Sequence, residues 1–427
     1  MQGLLSFEKL PPFSAPLRFF LSAPLFPLAA GILLLAGGPD VLASRWTPGL
    51  LAATHLVTVG FMLVIMLGAL IQILPVVAGA NLHDPLRLAR WLHFGLVAGT
   101  LLLAGGFLWG RPALLGTAAL VLGLSVAGFL LLAGRALHGV PSTSPTIRGL
   151  KLALVGLAGA VGLGAWLALA LAHGWALDFP LVADLHAGWA LGAWAGTLLA
   201  AVAYVVVPMF QLTPGYPERP SRHFPTLMLG LLVAWSLAVL ADQALAVRLV
   251  EALAALAGIA FAGLTLRLQL QRRRARPDAT SRYWQLGLAA AILALAMLFA
   301  AVAWPALAEL PGWALYFGIL LLVGGFMSLI IGMLYKIVPF LAWMHLRNHV
   351  SAGRPVPSMN KLLGDAAMQR QMQAHAAALV LLLAAVAWPG LARLAGAVLA
   401  LASGWLFINL LGAARRYRHY LKEALAV

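Results

Sequence analysis

The chain has 427 residues, of which 63% are hydrophobic and 9% charged, and its formal net charge is +16. No soluble domain needs so much apolar surface, so the composition excludes a soluble enzyme and indicates a polytopic helical membrane protein. Cysteine is absent, which excludes disulfides, thiolate metal sites and covalent haem attachment through C-x-x-C-H. The basic residues of such a protein set its topology and face anionic lipid, so the positive charge predicts membrane lipid, not nucleic acid, as a partner.

Twelve stretches of the chain are apolar and long enough to cross a bilayer, which takes ~20 residues per helix. The sequence therefore predicts an all-α integral membrane protein in which residues 1–427 form a single domain of twelve transmembrane helices. In chain order, the predicted spans are 16–37, 47–79, 88–110, 113–136, 149–173, 182–212, 224–243, 246–270, 283–307, 312–345, 370–389 and 391–412.

The second, sixth and tenth predicted spans are the longest, and each carries a proline near its end. These residues, Pro75, Pro208 and Pro339, lie 133 and 131 residues apart. A period of that length holds four membrane helices, so we expect three pseudo-repeated four-helix units, approximately 16–136, 149–270 and 283–412. A proline inside a membrane helix frees a carbonyl and kinks the helix.

The distribution of Lys and Arg predicts the orientation of the chain. Only four of the 28 basic residues lie in the odd-numbered loops, namely Arg45, Arg111, Arg248 and Arg393. Cytoplasmic loops carry the excess of positive charge, so both termini are predicted to be cytoplasmic in a bacterial-type inner membrane. The basic cluster at 272–276 then lies on the inner side, and the three proline-containing spans start on the outer side.

Two histidines occupy nearly equivalent positions in the first two repeats. His55 lies 20 residues before Pro75, and His186 lies 22 residues before Pro208. At 1.5 Å per residue, both stand ~30 Å from their prolines, in the outer part of the membrane. Two neutral imidazoles from facing helices at one depth are what a low-spin b-type haem requires as axial ligands. The alternative is a pair of interfacial histidines bonded to water or backbone.

The remaining ionisable residues within the predicted spans give weaker signals. The positions of the third repeat that correspond to the two histidines hold Ile319 and Phe317. A second group of histidines on the inner side, His93, His345 and His375, fits no metal-ligand spacing, and interfacial solvation is the favoured interpretation. No span carries a carboxylate at mid-membrane depth, which argues against a pump or transporter coupled to a buried carboxylate.

With twelve spans, inner termini, three four-helix repeats and His55 on its second span, the chain resembles subunit I of the haem–copper oxidase superfamily. The nearest branch is that of the nitric-oxide reductases and cbb3-type oxidases. His55-Leu-Val-Thr-Val-Gly-Phe-Met looks like the helix 2 segment whose histidine ligates the low-spin haem. His186-Ala-Gly-Trp-Ala-Leu-Gly-Ala-Trp194 looks like the helix 6 segment whose histidine binds copper or non-haem iron.

The chain departs from this family at the ligands of the dinuclear centre. The family's histidine pair on helix 7 is missing, since 224–244 holds no histidine, and the helix 10 pair is missing too. The resemblance therefore implies a divergent member without a copper–haem centre, in which His55 and His186 hold one b-type haem iron and copper is not expected. Membrane proteins of the nitric-oxide stress response are a similar divergent group. The family's haem propionates pair with outer-loop arginines, which implies that role for Arg393 and Arg45.

Three functions are consistent with these features. The first is a haem-binding membrane protein acting in electron transfer, haem handling or the response to nitric oxide; if an enzyme, it is a divergent membrane oxidoreductase, and it needs a redox partner protein. The second is a twelve-helix transporter, although common transporters repeat by six helices and not by four. The third is a cofactor-free assembly or scaffold subunit that keeps the fold.

Overall fold

The computed structural model describes residues 11–142, 144–273, 277–349 and 356–425, so residues 274–276 of the basic cluster lie outside the described residues. Within these ranges the regular secondary structure is entirely helical. Twelve helices are long and apolar enough to cross a membrane, as predicted. We label them α1 to α12, and they run Ser14–Leu42, Pro48–Val77, Pro85–Trp109, Pro112–His138, Pro145–His173, Phe179–Gln211, Glu218–Leu240, Ala244–Leu270, Ala279–Ala303, Trp313–Asn348, Asp365–Ala387 and Pro389–Glu423.

Several of these helices begin where the sequence supplies a capping side chain followed by proline. Thr47, Asp84 and Ser144 each accept a hydrogen bond from the backbone N–H three residues ahead, at the starts of α2, α3 and α5. The next residue is proline in all three cases, which suits the first helical turn because its missing N–H has no intrahelical partner there. Short loops bounded by such signals fix the length of each span.

The centre of the molecule is formed by α2, α6 and α10. In the most apolar stretch of α2 and of α10, 78% of the residues are buried, against 22% in α7 and 17% in α8. The value for α6 is 56%. The proline-containing helices therefore form the core, and α7 and α8 present most of their surface outward, where a bilayer provides the apolar surroundings.

Each of the three central helices contains a π-helical segment in its first half. These segments are Leu56–Leu63 in α2, Trp189–Gly196 in α6 and Ile319–Met327 in α10. Each one ends 12 residues before the proline of its helix. π-Helical turns are rare and occur mostly at functional sites. Their shared offset supports the internal repetition, while the bounds of the three four-helix units stay a prediction.

Candidate functional site

His55 of α2 and His186 of α6 lie side by side at the face where α1 ends and α2 begins, which we call the predicted outer face. The centroids of their imidazole rings are 6.4 Å apart, and the ring planes differ by only 11°. Both side chains are partly buried. His55 directly precedes the π-helical segment of α2, and His186 lies three residues before that of α6. The structure thus brings together two residues that are 131 positions apart in the sequence.

Both imidazoles are held through Nδ1 by a backbone carbonyl. Nδ1 of His55 lies 2.8 Å from the carbonyl oxygen of Leu51, and Nδ1 of His186 lies 2.9 Å from that of Ala160 in α5. A carbonyl oxygen only accepts, so the hydrogen bonds assign the proton of each neutral ring to Nδ1. Neither Nε2 has a hydrogen-bond partner among the described residues. Both rings therefore keep a free lone pair, which is what a metal ligand requires.

The spacing of the rings suits two ligands on opposite sides of one metal ion. A metal–imidazole bond is about 2.0–2.1 Å long, and the ring centre lies about 1.1 Å beyond the nitrogen, so the two ring centres of such a pair are roughly 6.3 Å apart. The observed separation of 6.4 Å agrees with this value. Among the described residues, no group of three or more His, Asp or Glu side chains is placed to hold a metal ion, so a two-ligand site is the one the structure offers.

Two neighbouring helices shape the surroundings of the pair. The ring of Phe107 in α3 lies 5.1 Å from that of His55. On the other side, Gly164 of α5 faces His186 so closely that a Cβ there would lie 2.8 Å from Cε1 of the imidazole. Ala160 and Gly164 are one helical turn apart, so α5 supplies both the carbonyl that orients His186 and the space in which its ring sits.

The two arginines of the predicted site have different surroundings. Arg45 Nη1 donates to Asp184 Oδ1 at 2.9 Å, and the guanidinium lies 4.4 Å from the centroid of the Trp46 ring. Asp184 is two residues before His186, so Arg45 connects the start of α2 to the helix that carries the second histidine. Both charged side chains are well exposed, at 41% and 52%.

Arg393 instead caps the end of α1. Its Nη1 donates to the carbonyls of Leu35 and Ala36, at 3.1 and 2.9 Å. Gly38, at φ +64°, turns the chain beneath the guanidinium, and a Cβ there would lie 3.0 Å from Cζ of Arg393. The contacts of Arg393 are therefore with the backbone of α1, whereas Arg45 contacts α6 directly.

The histidines of the second group all bond to hydroxyl groups of neighbouring helices. His93 Nε2 lies 2.8 Å from Ser22 Oγ, and His345 Nδ1 lies 2.7 Å from the hydroxyl of Tyr417. His375 is 0% exposed, with Nε2 2.8 Å from Ser328 Oγ. The expectation of interfacial solvation is wrong for His375, because the side chain lies in the interior, between α10 and α11.

A buried polar network lies beside His375. The hydroxyls of Tyr283 and Tyr335 both donate to Oε1 of Gln371, and Asn409 Nδ2 donates to the hydroxyl of Tyr335 at 2.9 Å. The tyrosine and glutamine side chains are at most 1% exposed. The network links α9, α10, α11 and α12, and the sequence gave no indication of it because each helix contributes only one or two of its polar groups.

No known family model matches the chain, and no curated protein matches it. Among solved structures, the chain is similar to one reported as a cryo-EM structure of a heme-copper terminal oxidase dimer, with a TM-score of 0.62. The identity is 13%, and the match covers 94% of this chain and 84% of that chain. At this identity the likeness shows the fold. The predicted fold class, an all-α membrane protein of twelve helices similar to oxidase subunit I, is therefore confirmed.

Proposed function

We propose that the protein binds one b-type haem at the predicted outer face, with His55 and His186 as the two axial ligands, and that it acts in electron transfer within the membrane. The observation that carries this proposal is the geometry of the histidine pair. The rings are nearly parallel at 6.4 Å, and both Nδ1 atoms donate to carbonyls. The oxidase-like fold supports it, because helix 2 of that family carries a haem ligand.

The residues of the site would hold and orient the group as follows. The carbonyls of Leu51 and Ala160 fix the imidazole tautomer and raise the basicity of Nε2, as outer partners of metal-bound histidines do. Haem supplies a one-electron iron couple when bound. Arg45 is the better placed of the two arginines for a propionate carboxylate, because its partner Asp184 lies beside His186 in sequence. A guanidinium suits bidentate pairing with such a carboxylate.

The ligand set limits the chemistry that we propose. α7 contains one histidine, His223, which is exposed at the start of the helix, and the histidines at the end of α10 lie far along the chain from its π-helical segment. We therefore propose electron transfer with a redox partner protein, without a copper–haem dinuclear centre. Membership of the nitric-oxide-reductase branch and a role in the response to nitric oxide stay predictions of the sequence resemblance.

Substitution of each ligand tests the proposal. The wild-type protein, expressed with haem supplementation, should show a sharp b-type band in its reduced-minus-oxidised spectrum and about one haem per chain in a pyridine haemochromogen assay. His55→Ala and His186→Ala should each abolish the low-spin spectrum, because one axial ligand is lost. His173→Ala is the matched control, since His173 is exposed at the same face and stacks on Trp175.

The outcomes separate the three functions. Unchanged haem content in both ligand variants would contradict the site, and an equal loss in His173→Ala would point to general instability. Absence of haem from the wild-type protein would contradict the function and favour a transporter or a cofactor-free scaffold subunit.

A further inference from the structure

The three central helices enclose a cavity of about 80 Å³ on their common axis. Each helix contributes five residues, which lie 10, 9, 6, 5 and 2 positions before its proline in all three cases. Trp284 of α9 completes the lining. The same five positions of every repeat thus face one space, so the cavity follows the internal pseudo-symmetry of the fold.

The cavity lies between the two irregular features of each central helix. In α2, its lining begins at Ile65, two residues after the π-helical segment, and ends at Ile73, two residues before Pro75. The offsets in α6 and α10 are the same. π-Helical turns and prolines both bend a helix. Three helices that bend at both ends of the same stretch leave space between them, which accounts for the position of the cavity.

The lining is chemically uniform. Apart from Trp284, every lining side chain is Leu, Ile, Val, Ala or Met. A buried water needs two to four polar partners, so water is not stabilised here, and apolar cavities of this kind stay dry and bind small apolar molecules. The indole Nε1 of Trp284 is itself buried without a hydrogen-bond partner among the described residues.

The size and closure of the cavity restrict its occupant. Eleven of the 16 lining residues are buried, and none is exposed. About 80 Å³ with such walls has room for a few heavy atoms and no wide opening for a lipid tail. We propose that this cavity is a binding site for a small uncharged gas molecule of diatomic size. The proposal does not depend on haem binding at the histidine pair.

Xenon is a suitable probe, because it is apolar, is of similar size to a diatomic gas and enters dry cavities. In 129Xe NMR of the purified protein, wild type should give a saturable change in the xenon signal with increasing protein concentration. Ala203→Leu gives α6 the residue that α2 and α10 carry at the equivalent position, Leu70 and Leu334, and adds three carbon atoms to the lining. This variant should lose the saturable component.

A matched control and an opposite change complete the test. Ala296→Leu makes the same substitution on an exposed position of α9 and should respond as wild type. Leu334→Ala enlarges the cavity and should increase the saturable response, which keeps the test decisive if Ala203→Leu does not fold. A wild-type protein without a saturable response, as expected if a lipid or detergent tail fills the space, would overturn the proposal, as would a response unchanged by Ala203→Leu and Leu334→Ala. The same measurement on haem-free protein separates this result from the outcome at the histidine pair.

Discussion

At the scale of single residues, the placement of His186 depends on two positions of α5. The carbonyl of Ala160 orients the ring, and the absence of a side chain at Gly164 gives it room. His186 could be predicted from the sequence because it repeats the offset of His55 from a proline. Its partners could not, because Ala160 lies 26 residues earlier on another helix and contributes only a backbone atom.

Gly164→Val should displace the imidazole of His186, because its Cβ alone would lie 2.8 Å from Cε1 of the ring. The hydrogen bond to Ala160 should then be lost, and the low-spin haem spectrum should weaken or become high-spin. Gly162→Val is the control, since a Cβ at Gly162 meets no atom within 4 Å. Both variants can be compared by the absorption spectrum of protein expressed with added haem. Equal spectra for the two would show that Gly164 does not position the ligand.

His375 shows the limit of sequence-based prediction at this scale. A histidine near charged loops resembles an interfacial residue until its neighbours in space are known. The residues that surround it, Ser328 and Tyr283, lie on α10 and α9, and no pattern within α11 points to them. Burial of a polar side chain depends on partners that satisfy it, and such partners come from other helices.

At the scale of whole helices, the prolines of α2, α6 and α10 are visible in the sequence but the π-helical segments are not. A proline is one residue type with a fixed effect on the backbone. A π-helical segment has no composition of its own, and Leu56–Leu63 resembles any other apolar stretch. The repeat was therefore predicted from the prolines, and the structure added the second irregularity at a constant distance from them.

An ion pair joins α10 to the start of α9. Lys336 Nζ lies 2.6 Å from Asp278 Oδ2, and the two side chains are 19% and 13% exposed. Asp278 also caps α9 by accepting from the backbone N–H and the hydroxyl of Ser281. Burial alone would raise the pKa of the Asp278 carboxyl, but the hydrogen bond and charge of Lys336, together with the bonds from Ser281, lower it below the ordinary value of 3.8.

Asp278→Asn should destabilise the protein by about 1–3 kcal/mol at neutral pH, because it removes a charge-assisted hydrogen bond while Asn remains a good N-cap. Because the folded-state pKa of Asp278 is lowered, its stabilising effect is complete above the unfolded pKa and is lost as the pH falls through the folded pKa. The difference in thermal midpoint between the variant and wild type should therefore shrink below about pH 4. A difference that stays constant with pH would show that the charge of Asp278 has no part in it.

At the scale of the whole molecule, hydropathy was sufficient to predict twelve helices. A bilayer admits only helices or closed barrels, so length and apolar composition predict the number and approximate bounds of the spans. The predicted second span, 47–79, and the observed α2, Pro48–Val77, differ by one or two residues at each end. Function has no such constraint, so the candidate site depended on two residues and a resemblance.

The orientation of the chain can be measured directly because the protein has no cysteine. Ser44→Cys lies in the exposed loop between α1 and α2, and Ser142→Cys in the exposed loop between α4 and α5. If both termini are cytoplasmic, a membrane-impermeant maleimide should label Ser44→Cys in intact cells and Ser142→Cys only after permeabilisation. The wild-type chain provides an unlabelled background, and the reverse pattern would contradict the predicted topology.

The void on the axis of the bundle also has a mechanical consequence. Hydrostatic pressure favours states of smaller volume, and the volume lost on unfolding scales with the internal space that disappears. A cavity of about 80 Å³ at the centre of the three most important helices therefore makes the native protein compressible at its core. Ala203→Leu, by filling that space, should raise the pressure at which the protein unfolds, so the same internal symmetry that organises the fold also sets its resistance to compression.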